Sequence, residues 1–173
     1  MGDECIIVAP DGYERSWNVY TEKSKADDVS FILDLITKIG AEIPAADMDN
    51  VNIIGTSNGA ALTYRLMIET GADRPFRRYV EIIKIKPDHH IVRAFPMVSS
   101  LISPQYHDNQ FWASPVSAAP GEANVYDTAV VPMFDDDFEY AHFHGTEDGA
   151  LQYEGQAPGP GFLGGADVLP AQE

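Results

Sequence analysis

The sequence predicts an α/β fold, a mostly parallel sheet with helices on both faces, on three observations. Short β-branched runs alternate with helical patterns along the first half of the chain. The turn joining one such strand to the next helix is glycine-rich. With 173 residues, of which 45% are apolar and 10% aromatic, the chain is long enough to bury one real core without a disulfide framework. The reading is one domain over 1–173, with long loops at about 101–132 and a Gly/Pro-rich tail at 155–173.

The elements follow in order. Residues 4–9, Glu-Cys-Ile-Ile-Val-Ala, form an apolar run closed by Pro10-Asp11-Gly12, which predicts a strand buried on both faces. Val29, Ile32, Leu33, Ile36 and Ile39 recur at steps of three and four and predict a helix over 26–39. Asp27 and Asp28 lie in its first turn, Lys38 in its last, with Gly40 as the stop. Val51-Asn52-Ile53-Ile54 predicts a second strand, running into Gly55-Thr56-Ser57-Asn58-Gly59 and a helix over 60–69 with Leu62, Leu66 and Met67 on one side. Strand-helix alternation of this kind signals a parallel sheet with crossover connections. Residues 76–86 fit strand or helix, 91–99 read as a strand, and 103–132 read as loops with one short helix. A last strand is expected at 138–143. A chain that starts on a buried strand and stops in Gly/Pro-rich coil reads as truncated at both ends, so exposed sheet edges invite self-association.

Composition narrows the function. Eleven Lys+Arg against 27 Asp+Glu give a net charge of −16, and the dense basic group is only Arg74, Arg77 and Arg78. Such a field disfavours nucleic acid and anionic membranes, which need clustered cations. No apolar run reaches the length of a membrane span, and residues 1–20 lack a signal-peptide pattern. The single Cys5 forms no internal disulfide and reads as a packed small side chain.

Gly55-Thr56-Ser57-Asn58-Gly59 is a G-x-S-x-G sequence between a β-branched strand and a helix, the setting in which it carries chemistry. A serine on that strained turn is lifted above the sheet edge at the positive end of the helix, where developing negative charge is stabilised. Ser57 is therefore the candidate nucleophile and the Asn58 N–H the candidate oxyanion donor. The competing reading is an ordinary glycine-rich turn with a solvent-facing serine. A nucleophilic serine needs a base and the base a carboxylate, which follows the serine in chains with this elbow. Asp148, in a Gly-flanked turn after a strand, is the candidate acid; Glu147 and Asp135-Asp136-Asp137 read as solvated surface.

The histidines are weighed singly. His89 and His90 read as surface. His142 and His144 alternate on the last strand. His107, in a loop beside Tyr106 and Asp108, is the candidate substitute base. No metal site is expected: the acidic run lacks a calcium-loop spacing, and no His or Cys ligand pair is evident. No cofactor is implied.

These residues resemble the polyhydroxybutyrate-depolymerase and feruloyl-esterase type of α/β-hydrolase. The matching stretches are Val8-Ala9-Pro10-Asp11-Gly12 with Ser16-Trp17-Asn18, Ala26-Asp27-Asp28-Val29, Ile54 to Gly59 with Thr63-Tyr64-Arg65, and His144 to Asp148 with Tyr153-Glu154-Gly155. They cover a little under half the chain. The resemblance implies carboxylic-ester hydrolysis through an acyl-enzyme on Ser57, with Asn58 as oxyanion donor and Asp148 as triad acid. It implies small-molecule or polymeric ester substrates, export from the cytoplasm and a structural His144. Two departures stand out: no His-Gly oxyanion loop precedes Pro10-Asp11-Gly12, and all five histidines precede Asp148. The alternatives are a catalytically incompetent ligand- or partner-binding module of this fold, and a serine peptidase of the same fold.

Overall fold

A computed structural model describes residues 5–48, 51–70, 91–97, 102, 104–113, 118–131 and 139–140. After a short 3-10 turn at Tyr13–Arg15, the elements are α1 (Asp28–Glu42), β1 (Val51–Thr56), α2 (Asn58–Thr70), β2 (Ile91–Met97), β3 (Tyr106–His107), β4 (Gln110–Ala113), β5 (Thr128–Val130) and β6 (Glu139–Tyr140).

Helix α1 starts where a side chain can satisfy its free N–H groups. Asp27 accepts from the Ser30 N–H at 3.1 Å and from the Ser30 hydroxyl at 2.7 Å. The helix continues through Gly40 to Glu42 instead of stopping at the glycine. A glycine inside a helix costs only about 1 kcal/mol relative to alanine, so it weakens a helix without ending it.

Two three-stranded sheets organise the described residues. The first is parallel, in the order β1-β2-β6, with Ile54 opposite Phe95 and Thr56 opposite Met97. The second is antiparallel, in the order β3-β4-β5. It occupies the stretch expected to be loop. The turn between β3 and β4 is two residues, Asp108 and Asn109, both at positive φ (54° and 58°). That is the backbone a two-residue hairpin demands, and Asp and Asn tolerate it.

Helix α2 packs against β1, β2, β4 and α1. Residues 60–66 are all buried, so the helix is a central element and not the one-sided helix its sequence suggests. Leu62 and Leu66 meet Val29 of α1, with Ile32, Leu33, Ile53 and Trp17 around them. Ile68, near the other end, packs on Ala113 and Val130 of the second sheet. Ile102 and Tyr126 form a further cluster with Tyr20 and Trp112.

One expectation fails outright. Residues 5–10 enter no strand, and Ile6, Ile7 and Val8 are 50%, 86% and 45% exposed. Cys5 is exposed as well, not packed. An apolar run reports the tendency to be buried, whereas burial itself depends on a partner surface.

Candidate functional site

Ser57 is the single residue between the end of β1 and the start of α2, and its φ is +54°. A non-glycine residue there is strained by about 1–2 kcal/mol. The surroundings show why the turn is this tight. A Cβ on Gly55 would lie 2.3 Å from the Gly59 carbonyl oxygen and 2.4 Å from Thr63 Oγ1. The first turn of α2 is thus pressed directly onto the last residues of β1, and Ser57 must make the whole reversal. Thr63 Oγ1 donates back to the Gly59 carbonyl at 3.0 Å, which removes a polar group from that packed junction.

An open cleft of about 670 Å³ lies over this turn, lined by Thr56, Ser57, Asn58 and Gly59 on one side and by Pro10, Asp11, Gly12, Arg15, Ser16 and Trp17 on the other. The facing wall is itself a tight turn. Arg15 N–H donates to the Gly12 carbonyl at 3.1 Å and Ser16 N–H to Tyr13 at 3.2 Å. Glu14 and Arg15 both have positive φ. A Cβ on Gly12 would meet the Ser16 carbonyl oxygen at 2.5 Å. The described part of the cleft therefore offers a half-buried serine at a helix N-terminus, one aromatic surface, and two charged residues, Asp11 and Arg15.

The wall is bolted to the elbow by Asn58. Trp17 N–H donates to Asn58 Oδ1 at 2.6 Å, and Asn58 Nδ2 donates to the Trp17 carbonyl at 3.1 Å and to Glu22 Oε1 at 3.0 Å. The other Glu22 oxygen accepts from the Val19 and Tyr20 N–H groups at 3.0 and 2.6 Å. The Trp17 ring stacks on Phe31 of α1, with centroids 6.5 Å apart.

Behind the wall lies a buried polar network. Asn18 N–H donates to Asp28 Oδ2 at 2.6 Å, and Asn124 Nδ2 donates to Asn18 Oδ1 at 2.8 Å and the Val19 carbonyl at 2.9 Å. The Tyr126 hydroxyl also donates to the Val19 carbonyl, and Arg65 Nη1 to the Asn18 carbonyl. Lys25 Nζ donates to the Tyr20 and Glu122 carbonyls and to Asn124 Oδ1. Burial raises the Asp28 carboxyl above its ordinary range, against the pull of the Asn18 N–H and Arg65. Burial also lowers Lys25, with Glu22 opposing. Burial pushes Tyr126 up, so its hydroxyl stays protonated and able to donate. For Arg65 burial pulls down, but Glu69 beside it prevails and the guanidinium is held charged.

Of the candidate catalytic residues, Ser57 and Asn58 sit together in the cleft, beside Pro10-Asp11-Gly12 and Ser16-Trp17 of the motifs quoted from the sequence. Asp148 lies outside the described residues, as do His89, His90, His142, His144, Glu147 and Asp135-Asp136-Asp137. His107 is in β3, in the second sheet, and does not line the cleft. Its ring stacks on Trp112 at 4.7 Å and its Nδ1 is 3.1 Å from Asp108. Among the described residues no group of three His, Cys, Asp or Glu could hold a metal, and no helix is long and apolar enough to cross a membrane. Sequence reasoning missed Glu22 and the side-chain role of Asn58. No local pattern announces their joint role, because the contacts that link Asn58 to Glu22 and to Trp17 span 36 and 41 positions.

No family model matches the chain, and no curated protein or solved structure is significantly similar to it.

Proposed function

We propose that the chain is a serine carboxylic-ester hydrolase on an α/β-hydrolase-like fold, cleaving small-molecule or polymeric esters through an acyl-enzyme on Ser57. The supporting observation is the Ser57 backbone. A left-handed serine between strand and helix, facing a cleft, is strain located where a nucleophile needs it. The Ser57 hydroxyl attacks the ester carbonyl while its proton passes to an imidazole that Asp148 orients, a histidine that the resemblance places after Asp148 and that the 173 residues do not include. The Asn58 N–H and the start of α2 stabilise the oxyanion. The alcohol departs with the proton from the imidazole, and water releases the acid by the same route in reverse.

The test is acetylation by p-nitrophenyl acetate, read as released p-nitrophenol and as an acetyl group located by peptide mass spectrometry. The expected result is an adduct on Ser57 that Ser57→Ala abolishes together with turnover. Turnover that survives Ser57→Ala discards the mechanism, and turnover that needs both Ser57 and His107 makes His107 the base. A chain that binds ester analogues but forms no adduct is the incompetent binding module of this fold.

A further inference from the structure

The Asn58 side chain is engaged away from the reaction that its backbone N–H is proposed to serve. Its amide oxygen and nitrogen meet the N–H and C=O of a single residue, Trp17, at 2.6 and 3.1 Å. This is the pairing that a neighbouring strand residue would make, supplied instead by a side chain. The second amide hydrogen goes to Glu22 at 3.0 Å, and Glu22 in turn receives the Val19 and Tyr20 N–H groups. The residue at the elbow therefore fixes, through three hydrogen bonds of its own and two more by way of Glu22, the segment that carries the opposite wall of the cleft.

We propose that Asn58 is a positioning residue: with Glu22 it locks the Trp17 backbone to the nucleophile turn, so that the cleft wall and the Ser57–Asn58 peptide form one rigid unit. The chemistry demands an amide here. Oδ1 must accept while Nδ2 donates twice, and a carboxylate does only the first. A carboxylate would also oppose the Trp17 carbonyl and Glu22. The consequence for turnover rests on the serine-hydrolase reading; the consequence for Trp17 does not.

The experiment compares Asn58→Ala, Asn58→Asp and the double variant Asn58→Asp/Glu22→Gln in the full chain. In the double variant the introduced glutamine accepts from Val19 and Tyr20 through its side-chain carbonyl while its NH₂ donates to the new carboxylate. That rebuilds all contacts except the one to the Trp17 carbonyl. The first readout is hydrogen exchange at the Trp17 amide. Protection is expected to be lost in Asn58→Ala, to be weakened in Asn58→Asp and to return in the double variant. The second is p-nitrophenyl acetate kinetics. A wall displaced by about 1 Å lowers kcat by about 10²-fold, with KM changing less, and the double variant recovers most of kcat. Trp17 protection that persists in Asn58→Ala overturns the proposal, as does a double variant no better protected than Asn58→Asp. Absence of any Ser57-dependent adduct in the parent chain defeats the esterase reading alone, because the Trp17 amide still judges the clamp.

Discussion

In α2 the guanidinium of Arg65 meets the carboxylate of Glu69 one turn further on through two hydrogen bonds, Nε to Oε1 at 2.7 Å and Nη2 to Oε2 at 3.1 Å. Both side chains are almost wholly buried, at 4% and 6% exposure. Arg65 also donates to the Asn18 carbonyl, so the pair supports the segment behind the cleft as well as the helix. Glu69→Ala leaves a buried cation without its partner, and a loss of about 3–5 kcal/mol is expected. The double change Arg65→Met/Glu69→Leu is expected to lose less than that single one, although it removes more hydrogen bonds. Urea denaturation of both variants checks the order.

Replacing Ser57 separates strain from chemistry. At φ +54° a side chain is penalised, and glycine is not. Ser57→Gly is expected to be more stable than Ser57→Ala by about 1 kcal/mol, whereas in an ordinary extended segment alanine is preferred. Both variants lose the acetyl adduct. Thermal denaturation of the two, side by side, reads the sign directly.

The two outer glycines of the elbow are not equivalent. A methyl on Gly55 meets backbone at 2.3 Å, whereas one on Gly59 meets only the Trp17 indole at 3.6 Å. Gly55→Ala is expected to cost about 3 kcal/mol or more by overpacking. Gly59→Ala is expected to be neutral or to stabilise by up to about 1 kcal/mol, since it adds a better helix former to α2. Equal effects would mean that the β1–α2 junction is looser than described.

Asp28 gives a pH signature. Its carboxyl is raised in the folded state above its ordinary 3.8 because burial disfavours the charge. The folded protein therefore binds this proton more tightly than the unfolded chain does. The Asp28 contribution to stability is greatest below pH 3.8 and declines as pH rises through the raised value. Asp28→Asn keeps an acceptor for the Asn18 N–H and is expected to remove that decline. Asp28→Ala orphans the same N–H and costs about 1–3 kcal/mol at every pH. Chemical denaturation between pH 3 and 7 distinguishes the two.

How much of this was legible in the sequence varies with the distance over which the information acts. The spacing of Val29, Ile32, Leu33, Ile36 and Ile39 marks α1, and the β-branched run before Gly55 marks β1 and the elbow, because each is a local pattern. The hairpin of β3 and β4 was hidden by its brevity. Its signal is Asp108-Asn109 between Tyr106 and Phe111-Trp112, too short a run to show period-two alternation. Residues 5–10 carry a strand's composition without a strand's partner. The clamp and the network behind the wall depend on contacts such as Asn18 with Asn124, 106 positions apart, and no window along the chain contains them. The elbow was legible as a motif, and so were the wall residues Pro10-Asp11-Gly12 and Ser16-Trp17, whereas the long-range contacts that hold them against the elbow were not.

That separation also sets an order of events. The elbow is made by β1 and α2, which adjoin in the chain, but its facing wall is anchored by residues that lie about a hundred positions later. Lys25 reaches Glu122 and Asn124, and the Gly121 and Asn124 N–H groups reach the Glu22 and Tyr20 carbonyls. Closing such a loop costs more chain entropy than closing a strand-turn-helix unit. During synthesis on the ribosome the residues of the serine turn therefore emerge before those that anchor its wall. Pulse-labelled hydrogen exchange during refolding is expected to protect the α2 amides before those of Gly121 and Asn124. The reverse order would show that the distant anchor organises the elbow, and not the elbow the anchor.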